Sequence, residues 1–158
     1  MEKIIMASDL SGFSLKEAVK KHLQDMGWGI DDQGTIDPAE PYTYFQAAEK
    51  AARQISEGKF SRGILICGTG MGMAIVANKF PGVYAAVCEN TYAAEKARAI
   101  NNANVLTMGG WITGETVGCA IADKFLATQF TQDLEEWRAK NLMLAQEKIK
   151  ELEQDLYH

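Results

Sequence analysis

Apolar and polar positions follow two rhythms along this chain, and the changes between them mark out the elements. Ile4-Ile5-Met6-Ala7 is a short continuous apolar run closed by Ser8-Asp9 and Ser11-Gly12, the pattern of a buried strand. From Ser14 to Met26 the rhythm lengthens. Leu15, Val19 and Leu23 recur every four residues, which predicts a helix stopped by Gly27. Trp28 to Asp31 predicts a second strand, and the breaker-rich stretch from Gly34 to Pro41 predicts a loop. A helix is expected over Tyr44 to Glu57, closed by Gly58. Gly63-Ile64-Leu65-Ile66-Cys67 is the clearest strand, apolar on both faces as a central parallel strand must be. Beyond Gly68-Thr69-Gly70-Met71-Gly72 the pattern predicts a short helix from Met73 to Lys79 and a strand from Val83 to Cys88. A helix over Tyr92 to Asn101, a strand over Val105 to Met108 and a helix over Thr116 to Thr128 follow.

Strands alternating with helical stretches indicate βαβ units and a parallel sheet covered on both faces. The expected fold class is α/β: a doubly wound, Rossmann-like three-layer fold around a five-stranded parallel sheet. Residues 1–158 form a single domain in this reading, with 1–130 as the α/β core and 131–158 as a long C-terminal helix. Ligands of such folds sit at the carboxyl ends of the strands. Asp9, Cys67 to Gly72, Glu89-Asn90 and Gly109-Gly110-Trp111 are therefore the positions to weigh. In the tail, Leu142, Ala145, Ile149, Leu152 and Leu156 are spaced by three and four residues, a coiled-coil-like stripe. A helix packed on its own domain is the plain alternative. The stripe outlasts what one small sheet can cover, which favours a subunit contact in a homodimer or homotetramer.

The 158 residues are 47% hydrophobic and 23% charged, the balance of a folded chain with a real core. Sixteen Lys and Arg against 21 Asp and Glu leave a net charge of -5. Nucleic-acid partners need a clustered basic surface, so none is expected. No apolar run reaches the ~18 residues of a membrane span, and the opening Met1-Glu2-Lys3-Ile4-Ile5-Met6 lacks a secretory-signal pattern. Three cysteines without a CxxC pairing point to a reducing, cytoplasmic location. His22 lies in a charged helical pattern and His158 is the last residue; both read as solvent-facing. A zinc site or a Ser-His-Asp triad is thus not expected, and no metal or cofactor is assigned.

The chemistry concentrates at the end of the clearest strand. Cys67 is followed by three glycines in five positions at the mouth of a helix, where unobstructed backbone amides and the helix dipole suit an anion or a developing oxyanion. The same field makes a strand-end thiol a usable base or nucleophile. Cys88 and Cys119 read instead as small hydrophobes. The turn is not GxGxxG and lacks the Lys-Ser/Thr of a P-loop, so it is a weak nucleotide signal.

Ser8-Asp9-Leu10-Ser11-Gly12-Phe13, Gly63 to Met73 through Cys67-Gly68-Thr69-Gly70, Ala77-Asn78-Lys79 and Asn101-Asn102-Ala103-Asn104-Val105 resemble the B-type ribose-5-phosphate isomerases and galactose-6-phosphate isomerase subunits. The resemblance covers about residues 1 to 130. It implies a cofactor-free aldose–ketose isomerase acting on a small sugar or sugar phosphate through an enediolate. Cys67 would be the base, and the amides of Gly68, Gly70 and Gly72 together with Asn101 would hold the enediolate oxygens. Asp9 would contact substrate hydroxyls, Thr69 would assist ring opening, and Met71, Tyr42, Trp111 and Arg138 would line the substrate site. Sites of this family are completed by a neighbouring subunit.

The departures from the family pattern are equally specific. Leu10 and Ile100 stand where histidines are usual, and Trp111 and Leu134 where arginines are; Arg138 keeps the third arginine. Leucine, isoleucine and tryptophan form no charge-assisted bonds to phosphate, each worth roughly 1.5–3 kcal/mol. Ordinary ribose 5-phosphate is therefore not the expected substrate. A tetrose or tetrulose phosphate, which cannot close a five-membered ring, needs no ring-opening histidine; an unphosphorylated sugar stacked on Trp111 is the other case. One subunit of a hetero-oligomeric isomerase and a non-catalytic sugar-binding relative are the alternatives.

Overall fold

A computed structural model describes residues 2–157. Its five parallel strands are β1 (Lys3–Ser8), β2 (Gly29–Asp32), β3 (Gly63–Cys67), β4 (Ala85–Val87) and β5 (Val105–Gly109), in the sheet order β2-β1-β3-β5-β4. Its helices are α1 (Phe13–Asp25), α2 (Tyr44–Ser56), α3 (Met71–Ala77), α4 (Thr91–Asn101), α5 (Glu115–Ala127) and α6 (Glu136–Leu156).

Side-chain alternation along each strand sorts the residues between two cores. Ile4, Met6, Ile64, Ile66, Leu106 and Met108 pack with Leu15, Val19 and Leu23 of α1 and with Ile121 and Phe125 of α5. The intervening Ile5, Ala7, Leu65, Cys67 and Val105 pack on the other face against α2 and Met73 and Ala77 of α3. The small buried side chains Ala47, Ala48, Ala51 and Ala52 let α2 lie close to the sheet. Thr43 starts that helix with a capping box, its hydroxyl accepting from the Gln46 amide while the Gln46 side chain accepts from the Thr43 amide.

The chain leaves β1 toward β2 on one side, then crosses to β3 on the other. The loops at the carboxyl ends of β1 and β3 therefore diverge and leave a crevice between them. This crossing puts Asp9 and Cys67 on either side of one opening.

The structure corrects several expected boundaries. α3 starts at Met71, so the glycine turn is shorter than the pattern suggested. β4 is limited to Ala85–Val87; at its entry Asn104 Oδ1 accepts from the Tyr84 amide at 2.8 Å, and Tyr84 O accepts from the Asn104 and Val105 amides at 3.0 and 3.2 Å. His22 is not simply solvent-facing; its Nε2 lies 2.8 Å from Asp123 of α5. His158 lies outside the described residues. α6 docks on its own chain through polar groups, with Gln146 buried and Glu153 accepting hydrogen bonds from the Gly82 amide and the Tyr84 hydroxyl. Of the apolar stripe, Ile149, Leu152 and Leu156 stay exposed at 38%, 56% and 67%, so folding of one chain leaves most of it without cover.

Candidate active site

The cleft at the β1/β3 crevice has a volume of about 310 Å³ and is lined by Asp9, Ser11, Tyr44, Cys67, Gly68, Thr69, Gly72 and Trp111. Backbone bonds lock its rim: the Gly110 amide donates to Cys67 O at 2.7 Å, and the Trp111 amide to Gly68 O at 2.9 Å. The exits of β3 and β5 are thereby held as one unit.

Cys67 is only 5% exposed, yet its side chain borders the opening. The Gly70 amide donates to Cys67 Sγ at 3.1 Å. That bond fixes the sulfur and gives a donor to charge developing there. It also means that the Gly70 amide points at the sulfur rather than outward to substrate. The Met71 amide turns inward likewise, donating to Thr69 Oγ1 at 3.2 Å. Gly70 has φ +81°, a left-handed conformation that favours glycine, and a Cβ there would come within 2.9 Å of the Met108 backbone. By contrast Cys88 and Cys119 lie away from the cleft; burial pushes the Cys88 thiol up to about 11, and Cys119 is also raised, chiefly by burial.

Two aromatic rings wall the glycine turn. A Cβ on Gly68 would lie 2.7 Å from the Trp111 ring, and one on Gly72 would lie 2.8 Å from the Tyr44 ring. Trp111 covers Gly68 with one face and leaves 75% of its surface open. On the β1 side, the Ser11 hydroxyl lies 2.8 and 2.9 Å from the two Asp9 carboxylate oxygens, and the Gly12 amide donates to Oδ1 at 2.9 Å. No Lys, Arg or His is among the described residues that line the cleft.

Asp9, Cys67, Gly68, Thr69, Gly72 and Trp111 are thus brought together as the sequence led one to expect. Gly70 supports the sulfur from behind, and Met71 opens α3 with its side chain half exposed. Tyr42 does not line this cleft; its amide donates to Thr35 Oγ1, its hydroxyl accepts from Lys50 Nζ, and Tyr44 takes the place beside the turn. Leu10 is 53% exposed beside Asp9 in the chain. Asn101 ends α4 at the opposite, amino-terminal end of the sheet. There Asn104, three residues on, accepts from the Gly63 amide at the start of β3. Arg138 lies in the first turn of α6, after a loop tied to Ala99 through the Thr131 amide, and also does not line this cleft. Ser11 and Tyr44 were not singled out from sequence, although Ser11 stands two residues after Asp9 in the same strand-exit turn.

Comparison with known proteins adds four findings. The family model "Ribose/Galactose Isomerase" matches residues 4–142. The 4-deoxy-4-sulfo-D-erythrose isomerase of Clostridium sp. (strain MSTE9) is 57% identical over 155 residues, covering 98% of both chains. The D-erythrulose-4-phosphate isomerase of Pectobacterium atrosepticum is 38% identical over 130 residues, covering 82% of this chain and 86% of its own. Among solved structures, ribose-5-phosphate isomerase B of Clostridium thermocellum superimposes with a TM-score of 0.87 at 35% identity, covering 98% and 99% of the two chains.

Proposed function

This chain belongs to the ribose/galactose isomerase family and is an aldose–ketose isomerase, and from that premise we propose that its substrate is a four-carbon aldose with a sulfonate at C4. The carrying observation is that the cleft joins Cys67 to Asp9 while none of its described lining residues is cationic. A C4 sulfonate leaves no C4 hydroxyl, so the aldehyde cannot close a five-membered ring. A ring-opening histidine then has nothing to do, which agrees with Leu10 and Ile100. A sulfonate also carries one negative charge, where a phosphate ester carries nearly two near neutral pH. One retained arginine, Arg138, matches one charge. The likeness to the sulfo-erythrose isomerase of Clostridium sp. supports the same choice.

In the proposed reaction the Cys67 thiolate takes the proton from C2 of the aldose. The electron pair enters the C1–C2 bond, charge moves to O1, and the enediolate forms. The Cys67 thiol then returns a proton to C1, giving the 2-ketose. Preorganised donors along the turn would hold the oxygens where charge develops. Asn101 and Arg138 enter from a second copy of the chain, because the fold puts them at the amino-terminal end of the sheet, away from their own Cys67. The uncovered Ile149, Leu152 and Leu156 stripe fits such an assembly.

The test is kcat/KM for 4-deoxy-4-sulfo-D-erythrose, erythrose 4-phosphate and ribose 5-phosphate. The sulfonate substrate is expected to exceed ribose 5-phosphate by about 100-fold or more, the equivalent of two lost charge-assisted bonds. Ribose 5-phosphate turning over as well as the sulfonate would overturn the assignment.

A further inference from the structure

Aldose–ketose interconversion moves two hydrogens, and Cys67 accounts for one. As the carbon-bound proton travels from C2 to C1, an oxygen-bound proton must travel from O2 to O1. No histidine is among the described residues that line the cleft, so this second transfer needs another carrier. The cleft offers hydroxyls on Ser11, Thr69 and Tyr44. Of these, Thr69 Oγ1 is engaged as an acceptor from the Met71 amide. Ser11 differs, because its hydroxyl sits at hydrogen-bond distance from both oxygens of a carboxylate, 2.8 and 2.9 Å from Asp9. The Gly12 amide holds that carboxylate from its other side at 2.9 Å.

We propose that Ser11 and Asp9 form the relay that carries the proton between the two substrate oxygens, a catalytic role for Ser11 that rests on the isomerase reading above. With its hydrogen directed at Asp9, Ser11 Oγ presents lone pairs to the cleft and accepts the O2–H of the substrate. As Oγ takes that proton, its own hydrogen passes to the Asp9 carboxylate. The relay then reverses toward O1: Asp9 returns its proton to Ser11, and Ser11 gives one to O1. O2 ends as the ketone oxygen and O1 as a hydroxyl. Both protein groups recover their starting state, so the step needs no added reactant. General acid–base groups of this kind contribute about 100-fold or more.

The experiment follows both hydrogens in Ser11→Ala, using 4-deoxy-4-sulfo-D-erythrose in D2O and proton NMR. Cys67 can still remove and return the C2 proton without the relay, so deuterium should enter C2 of the recovered aldose at a rate within about threefold of wild type. Ketose formation should fall about 100-fold. Ser11→Thr, which keeps the hydroxyl, should restore ketose formation to within about tenfold of wild type. Equal loss of exchange and isomerisation in Ser11→Ala assigns Ser11 a structural role and overturns the relay, as does ketose formation at the wild-type rate. Wild-type enzyme that neither exchanges nor isomerises the sugar overturns the substrate reading beneath it.

Discussion

Dividing one site between two chains makes a quantitative prediction about mixed assemblies. Asn101 stands just before β5, and the five residues of that strand span about 16 Å at ~3.3 Å each, so its side chain cannot reach the Cys67 at the strands' carboxyl ends within one chain. Cys67→Ala should abolish activity by removing the base. Asn101→Ala should lower it about 100-fold by removing a donor to the enediolate. Each site in a dimer would take Cys67 from one chain and Asn101 from the other. In a heterodimer of the two variants, one site receives both wild-type residues and the other receives neither. Unfolding and refolding an equal mixture gives ~50% heterodimer with one working site in two, and hence ~25% of wild-type activity from two nearly inactive proteins. The assay is turnover of the C4-sulfonated aldose by the two variants apart, mixed without refolding, and co-refolded. Activity of the co-refolded mixture no greater than the sum of its parts would refute the shared site. So would full activity of Asn101→Ala alone.

Two further outcomes follow from the same geometry. Gly68→Ala puts a Cβ 2.7 Å from the Trp111 ring, so the ring must retreat toward solvent, where 75% of it already lies; kcat/KM should fall about 100-fold for a displacement near ~1 Å while the melting temperature barely moves, and unchanged kinetics would show that Trp111 does not shape the site. The buried Cys88 thiol is raised to about 11 from an ordinary value near ~8.5. Between those values the unfolded chain sheds its proton before the folded one, so stability falls as pH rises through that window; urea titrations should show the deficit of Cys88→Ala narrowing between pH ~8 and ~10.5, and a constant deficit would rule out this contribution.

The layers of the fold were legible because each strand carries two readable faces. Ile4 and Met6 go to one core and Ile5 and Ala7 to the other, and the four-residue spacing of Leu15, Val19 and Leu23 supplies the matching helix face. Less legible was β4, whose entry is tied by the Asn104 side chain to the Tyr84 amide, a contact between residues twenty apart that no local period encodes. The docking of α6 was hidden for a related reason. Its anchors are Gln146 and Glu153, polar residues that hydrophobic periodicity passes over, while the apolar stripe that periodicity does find faces outward.

The site divides in the same way, along the direction of the chain. Strand-exit positions are visible in sequence because a parallel sheet puts them at one end, and Asp9, Cys67, Thr69 and Trp111 indeed meet there. The same rule carries a corollary for helix ends. A crossover helix returns the chain to the sheet's amino-terminal edge, so a residue that closes a helix just before a strand belongs to the far end. Asn101 closes α4 three residues ahead of Asn104, which binds the start of β3, and so its distance from Cys67 is written in chain direction alone. If Cys67 is the base and Asn101 the enediolate donor, as proposed, they can act on one carbon of a four-carbon sugar only where two chains meet. With those proposed roles, the need for a second subunit follows from topology and substrate size together, before any interface is considered.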